Sequence, residues 1–476
     1  MSEVSHVFAP LSSATARLAA FLAEVARPDV PRMAFDAFER RLQALLADVG
    51  REETARELAR HDLDVPVVEL DGVRHRRVLR CEATYLTRAG TVTVERTLYA
   101  NRSADGAAIC PLELRAGIVE GFWTPEAAKV AAWSVVHLTP GDAETLFQRL
   151  GGMTPSKSSL DRLPKGLSTR WESQRDTFEA ALRVPERIPA SAVAVSVSLD
   201  GVMTPMKDGD RAGKRATAKA AGKETRGPAG YQEVGCGTLS FFDAEGERLS
   251  TIQVVRMPEK KKATLKEILS AELAAVRTAR PDLTVVKVAD AAPDNWTFLD
   301  RLAPDGEAVL DFFHAAQHLS YATDAAYGEG SVQSKGYAHT LRHRLREPGG
   351  ADKVIRALRY LHKRYPRREV IARELAFFRK NKHRMDYATL EGRKLPIGSG
   401  IVEAACKTLV TQRLKRSGMR WRTKGGQAVL TLRALDLSGR FDRAWEILTA
   451  TYAHDVKPAN NHDYHQDSSA HMRMSG

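Results

Sequence analysis

The sequence predicts an α/β catalytic core on a mixed five-stranded sheet, with a helical insertion inside it and an α+β N-terminal region before it. Three observations carry that expectation. Two β-branched apolar runs, Ser191-Ala-Val-Ala-Val-Ser-Val-Ser-Leu-Asp200 and Leu283-Thr-Val-Val-Lys-Val-Ala-Asp290, read as buried strands bounded by turn signals, and each delivers an aspartate at its end. A third acid, Glu403, follows Pro396-Ile-Gly-Ser-Gly-Ile-Val402 and opens a helical segment, 403–416, with Val402, Cys406 and Leu409 on one stripe. Between the acids, strands and helices alternate in a specific order.

After Asp200, strands at 237–242 and 250–257 flank Asp243-Ala-Glu-Gly-Glu247, which reads as a hairpin. An amphipathic helix at 264–279 carries Leu265, Ile268, Leu269, Leu273 and Val276 on one face. The Asp290 strand is next, then a short helix at 295–302 and a strand at 308–312. Three antiparallel strands, a helix crossing to a parallel strand, and one more helix and strand make the ribonuclease-H-like topology. The first part of this core spans 190–318. Residues 319–395, with helices at 353–364 and 368–380, form the helical insertion; 396–455 supply the catalytic helix and closing helices at 425–437 and 441–452. The His-rich tail 456–476 is expected to be disordered.

N-terminal to the core, residues 1–65 carry helical periods with Phe35, Phe38, Leu42, Leu45 and Leu46, a packing or dimer face. Residues 66–120 form a β-hairpin region in which Thr91 to Tyr99 alternates clearly. Within 121–185, three helix-length segments (125–137, 140–150 and 154–163) and the Leu150-Gly-Gly-Met153 turn fit a helix-turn-helix, whose last helix offers Ser156, Lys157, Ser159 and Arg162 to a DNA groove.

Charge names a partner class. Lys and Arg number 72 against 59 acids, a net charge of +13, which favours a polyanion. The excess is clustered: 207–226, with Lys214 and Arg215, reads as a mobile basic loop between the first two sheet strands, and further runs are Glu259-Lys-Lys-Lys262, Arg342 to Arg346, Lys363 to Arg368 and Arg413 to Lys424. No apolar run approaches the ~18 residues of a membrane helix, and no charged-then-apolar leader opens the chain. Neither secretion nor membrane insertion is expected. Cysteines at 81, 110, 236 and 406 have no metal-ligand spacing and suit a reducing cytosol; the expected place is the cytoplasm, on the nucleoid.

Taken singly, a strand-end Asp is a turn former, and Glu403 with Lys407 is an ordinary i,i+4 pair. Together, Asp200, Asp290 and Glu403 suit two Mg²⁺ ions about 3.5–4 Å apart, with Mn²⁺ as a substitute, which can stabilise both the attacking and the leaving oxygen of a phosphodiester.

The run Pro396-Ile-Gly-Ser-Gly-Ile-Val-Glu-Ala-Ala-Cys-Lys407, then Gln412-Arg-Leu-Lys-Arg-Ser-Gly-Met-Arg-Trp421, with Asp311-Phe-Phe-His-Ala-Ala-Gln-His-Leu319, resembles the DDE transposases of bacterial insertion sequences of the ISKra4 type. The resemblance covers roughly residues 85–440. It implies metal-dependent cleavage and joining of double-stranded DNA, element ends and target, with Asp200, Asp290 and Glu403 as the metal-binding triad; a homodimer or higher oligomer on DNA is the expected working form. Relatives read Gly-Ala after the second Asp, whereas here Ala-Ala-Pro-Asp294 follows Asp290, so Asp294 competes for that role and Asp290 is favoured as the strand-end acid. Many relatives carry a cysteine knuckle after the N-terminal hairpin; only Cys110 stands there in this chain. Asp311, His314 and His318 read either as metal ligands or, preferably, as a hydrogen-bonded structural cluster. Lys407, Arg413, Lys415, Arg416 and Arg420 are candidate phosphate contacts, and Trp421 is a packing residue or a stacking platform for an exposed base. Two other classes share these features in part: a ribonuclease-H-like nuclease or junction-cleaving enzyme without strand transfer, and a catalytically inactive DNA-binding regulator.

Overall fold

Strand alternation nucleates two separate sheets. The computed structural model describes residues 13–101, 108–183, 188–207, 211–223 and 230–459, and the chain divides into two units, Met1–Gln174 with Asp442–Gly476, and Arg175–Phe441.

In the first unit, α1 (Ser13–Val25) and α2 (Phe35–Arg60) meet through Phe21 stacked on Phe38, ring centroids 5.7 Å apart. Strands β1 (Val67–Leu70), β2 (Val73–Thr87) and β3 (Gly90–Ala100) follow as an antiparallel meander whose Tyr85, Val92 and Val94 bury against Leu58 of α2. Then come α3 (Pro111–Ala116), α4 (Pro125–His137), α5 (Pro140–Leu150) and α6 (Lys157–Ser173), the last three packed on one another. The Ser156 side chain caps α6 by accepting the Ser159 amide. The helix does not stop at Leu163, as expected, but runs on through Pro164 to Ser173. Leu160, Leu163, Leu167 and Trp171 form one buried stripe, and that burial offsets the hydrogen bond the proline removes.

The second unit starts with α7 (Arg175–Arg183) and continues as β4 (Ala194–Pro205), α8 (Arg211–Ala220), β5 (Tyr231–Phe242), β6 (Arg248–Arg256), α9 (Ala263–Ala279), β7 (Thr284–Ala289), α10 (Pro293–Leu302) and β8 (Glu307–Leu310). These strands build the expected mixed five-stranded sheet in the order β6-β5-β4-β7-β8, with β4–β5–β6 antiparallel and β4–β7–β8 parallel. Period-two alternation sorts the faces. Val195, Val197 and Leu199 bury with Leu265, Leu269, Leu273 and Trp296 of α9 and α10. Ala194, Val286, Val288 and Val309 bury on the helices that follow β8.

Several boundaries differ from expectation. Asp200 does not close its strand: β4 continues to Pro205 because β5 pairs with it throughout, from Ala194↔Phe242 to Pro205↔Tyr231. The basic segment 207–226 is not all loop, since 211–220 is helical; Ala212, Ala216, Ala218 and Ala220 give it high helix propensity. Lys214 and Arg215 therefore lie on α8, while 208–210 and 224–226 are outside the described residues. Finally, β8 ends at Leu310, and Asp311 is the cap of the next helix.

The insertion comprises α11 (Phe312–Tyr327), α12 (Val332–Leu345), α13 (Gly350–Arg364), α14 (Glu369–Asn381) and α15 (Tyr387–Gly392). The segment expected as one helix over 403–416 starts earlier and is irregular: α16 (Gly400–Ala405) passes into a π-helical stretch, Cys406–Thr411, and then α17 (Gln412–Leu414). After α18 (Thr423–Leu437), α19 (Phe441–Thr449) and β9 (Lys457–Pro458) lead back into the first unit. There β9 pairs antiparallel with β1. Lys457 and Pro458 of the expected tail are thus a strand, residues 460–476 lie outside the described residues, and 442–455 group with the N-terminal unit rather than with the catalytic helix. Among the described residues, no helix is long and apolar enough to cross a membrane.

Candidate acidic active site

Asp200 sits on β4 just past Ser198, the last residue paired with β7, and Asp290 directly follows β7. The C-terminal end of β7, beside the point where β4 loses its parallel partner, is the usual ligand position of an open α/β sheet. Glu403 enters from the first turn of α16, whose Val402, Ala405 and Cys406 pack with Cys236, the residue paired with Asp200 across β5. Burial, and then the charges of Asp290 and Glu403, push the Asp200 carboxyl above its ordinary range, against the Gly201 amide and Lys262. Asp290 and Glu403 therefore both act on the Asp200 charge.

Each acid is held by nearby donors. Asp200 Oδ1 accepts the Gly201 amide at 2.7 Å and its Oδ2 the Cys406 thiol at 3.9 Å. Asp290 Oδ1 accepts the Ala292 amide at 3.1 Å and Asn295 Nδ2 at 3.2 Å, and its carbonyl accepts Trp296 Nε1 at 2.6 Å. Glu403 Oε1 accepts the Ser399 hydroxyl at 3.0 Å. Among the described residues, no three His, Cys, Asp or Glu side chains stand close enough together to form a ready chelate. The donor set of the three acids is all carboxylate, the chemistry of a hard, oxygen-seeking cation. Asp294, the rival second acid, lies in the first turn of α10 and bonds Lys266 Nζ at 2.5 Å, which holds its carboxyl below the usual range.

Two motifs distant in sequence lock together beside these acids. Asp311 accepts the Phe313 amide at 3.2 Å and the His314 amide at 3.0 Å, capping α11, and also the Ser399 amide at 3.0 Å. The Phe312 amide donates to the Ile397 carbonyl at 3.0 Å. Gly398 permits this approach, because a Cβ there would lie 3.2 Å from the Phe313 ring. The Pro396-Ile-Gly-Ser-Gly400 run is therefore a brace between α11 and the Glu403 helix. Asp311→Ala, which strands three backbone amides at a site 2% exposed, is expected to cost about 3 kcal/mol in a urea titration.

His314 lies within the field of Asp290 and Asp200, yet burial and neighbouring His318 keep its pKa below the ordinary value. Its Nε2 is 3.3 Å from His318 Nε2, and His318 Nδ1 is 2.5 Å from Glu374 Oε2. Phe377 stacks on the His318 ring at 3.6 Å. Glu374 comes from α14 and is 1% exposed; burial pushes its carboxyl up, but His318 and Arg373 together hold it down. Asp311, His314 and His318 thus form a hydrogen-bonded cluster through which the insertion touches the site. Glu374 gave no sequence signal, since a Glu on an amphipathic helix reads as surface.

The cationic candidates separate by exposure. Lys407, Lys415, Arg416 and Arg420 are exposed along and beyond α16, and Lys157 and Arg162 are exposed on α6. Arg413 is not a surface phosphate contact: it is 2% exposed, with its guanidinium 5.5 Å from the Trp421 ring centre. The π-helical stretch before it, Cys406–Thr411, leaves Arg413 beside the buried Leu409, Val410 and Leu414. Trp421 takes the packing role, half-buried, its Nε1 donating to the Leu414 carbonyl at 2.9 Å and its amide to the Pro205 carbonyl at 3.1 Å. Arg433 of α18 donates through Nε at 2.9 Å and Nη2 at 2.7 Å to the Thr408 carbonyl within the π-helical stretch. No protein-family model matches this chain, and a search of curated proteins gave no match.

Proposed function

We propose that this protein is a DDE transposase, with a ribonuclease-H-like core that cleaves DNA strands at the ends of an insertion sequence and joins them to target DNA. What supports this reading is the sheet order β6-β5-β4-β7-β8, with Asp200 and Asp290 on neighbouring parallel strands β4 and β7 and both Asp290 and Glu403 acting on the Asp200 charge. That strand order, three antiparallel and then two parallel, is what a ribonuclease-H-like core requires, and the motifs of 311–319 and 396–421 point the same way.

Asp200, Asp290 and Glu403 would hold two Mg²⁺ ions, or Mn²⁺. Bound there, the ions would lower the pKa of an attacking water or 3′-hydroxyl and stabilise the leaving oxygen. The chain's own groups orient the acids: the Gly201 amide holds Asp200, the Ala292 amide and Asn295 hold Asp290, and the Ser399 hydroxyl holds Glu403. Lys407, Lys415, Arg416 and Arg420 would take phosphates flanking the cut, while Lys157 and Arg162 would take those of the element end. A net charge of +13 draws duplex DNA in generally. Processing two ends in one event calls for a homodimer or higher oligomer on DNA.

The test is a labelled duplex carrying the inverted repeat that flanks the gene, incubated with protein, Mg²⁺ and a supercoiled target plasmid. Label joined covalently to plasmid is the expected product. Hydrolysis without joining would instead identify a nuclease or junction-cleaving enzyme, and binding without cleavage in either metal a DNA-binding regulator.

A further inference from the structure

Two consecutive lysines beside the acidic site have left-handed backbone, Lys261 with φ 56° and Lys262 with φ 54°. For residues with a side chain such conformations cost on the order of 1–3 kcal/mol each. The turn delivers Lys262 to one place. Its stem crosses Gly235, with Cγ and Cδ each 3.5 Å from where a Cβ would stand, and its Nζ lies 3.0 Å from Glu233 Oε1. Glu233 in turn occupies the space over Gly201, where a Cβ would run into its carboxylate. Gly201 and Gly235 are cross-strand partners, and Gly201 directly follows Asp200. Two facing glycines thus clear room for one cation and one acid next to the first strand acid.

The Lys262–Glu233 pair does not account for this arrangement, although the same turn lets Glu259 Oε1 accept the Leu265 amide at 2.9 Å at the start of α9. The Glu233 side chain is 50% exposed and that of Lys262 16%, and an ion pair so placed contributes roughly 0–1 kcal/mol, less than the two strained residues cost. Lys262 also acts on the charge of Asp200, and Lys261, Lys262 and Lys266 all act on Asp294. Lys262 thus stands over β5 at the start of α9, beside the strand that carries Asp200.

We infer that Lys262 is a phosphate-binding residue of this site, its ammonium taking a non-bridging oxygen of the scissile phosphodiester while Glu233 holds the side chain in position. This rests on the phosphoryl-transfer reading above. A fixed ammonium beside the reacting phosphorus offsets the charge that builds there, and it needs no reorganisation when placed beforehand.

Lys262→Met keeps the stem over Gly235 and deletes the charge, and Lys262→Arg restores it. Binding of the inverted-repeat duplex is measured across salt concentrations with Ca²⁺ in place of Mg²⁺, and single-turnover cleavage is measured with Mg²⁺ at saturating duplex. Lys262→Met should lower the slope of log K against log salt by about 0.9, the loss of one phosphate contact, and slow cleavage by about tenfold or more. Its melting temperature should match the wild type, and Lys262→Arg should recover the slope. A wild-type slope and rate in Lys262→Met would overturn the role of Lys262 while leaving the phosphoryl-transfer reading in place. Parallel losses of rate and melting temperature with no rescue by Lys262→Arg would overturn it equally. A wild-type protein that neither binds nor cleaves the duplex would remove the reading and the inference together.

Discussion

Asp200→Asn, Asp290→Asn and Glu403→Gln are each expected to abolish metal-dependent strand cleavage while leaving DNA binding intact, a loss of several kcal/mol of transition-state stabilisation. Asp200→Asn should also raise the melting temperature of the metal-free protein. The Asp200 carboxyl has a raised pKa in the fold, through burial and the charges of Asp290 and Glu403. Its favourable contribution to stability is therefore present below the ordinary carboxylate pKa of about 3.9 and lost as pH rises through the folded value. At neutral pH the folded chain carries a repelled charge that Asn removes, a gain of about 0.5–2 kcal/mol typical of relaxing a functional site. Thermal melts at pH 7 in chelator read this directly; unchanged or lower stability would mean that burial and the neighbouring acids do not disfavour the Asp200 charge. Near-normal cleavage by Asp290→Asn together with loss in Asp294→Asn would reassign the second acid.

Glu272→Gln should be the most damaging single change away from the site. Glu272 is buried on α9, where Arg440 grips both its oxygens at 2.9 and 2.8 Å and Arg183 Nε donates to it at 3.1 Å. Removing this carboxylate takes a shared anion from two guanidiniums in a low-dielectric region, with Arg183 keeping only its bond to Glu179 Oε2 at 3.0 Å among the acids named, a cost of about 3–5 kcal/mol. A urea titration of the variant should show the midpoint fall with little change in slope. A shift equivalent to less than about 1 kcal/mol, the scale of an exposed pair, would show that water reaches this cluster.

Much of the second unit was legible because its signals are local. Alternation over 191–200 and 283–290, and the 3.6-residue stripe from Leu265 to Val276, depend only on near neighbours and came through as β4, β7 and α9. Asp290 directly follows β7 and Glu403 stands in the first turn of α16, as their runs suggest, whereas Asp200 lies inside β4. What failed depends on partners distant in sequence. Gly201 and Pro205 read as turn signals, yet β5 carries β4 past both. The pairing of β9 with β1 joins segments from opposite ends of the chain. Arg413 reads as one more cation in a basic run and is instead buried. Glu374 gains its meaning only from His318, on another helix.

The π-helical stretch Cys406–Thr411 also separates length from chemistry in this part of the chain. In a regular α-helix, deleting one residue rotates everything beyond it by about 100°. A π-bulge already holds a residue more than the α-helical count, so a one-residue deletion inside it restores ordinary winding and leaves both flanks facing as before. Glu403 would keep its place and Arg413 its burial. The Thr408 carbonyl, however, would return to the helix's own hydrogen-bond ladder, and the Arg433 guanidinium that now grips it twice would lose that acceptor. A chain one residue shorter here would preserve the helix and dissolve its tie to α18.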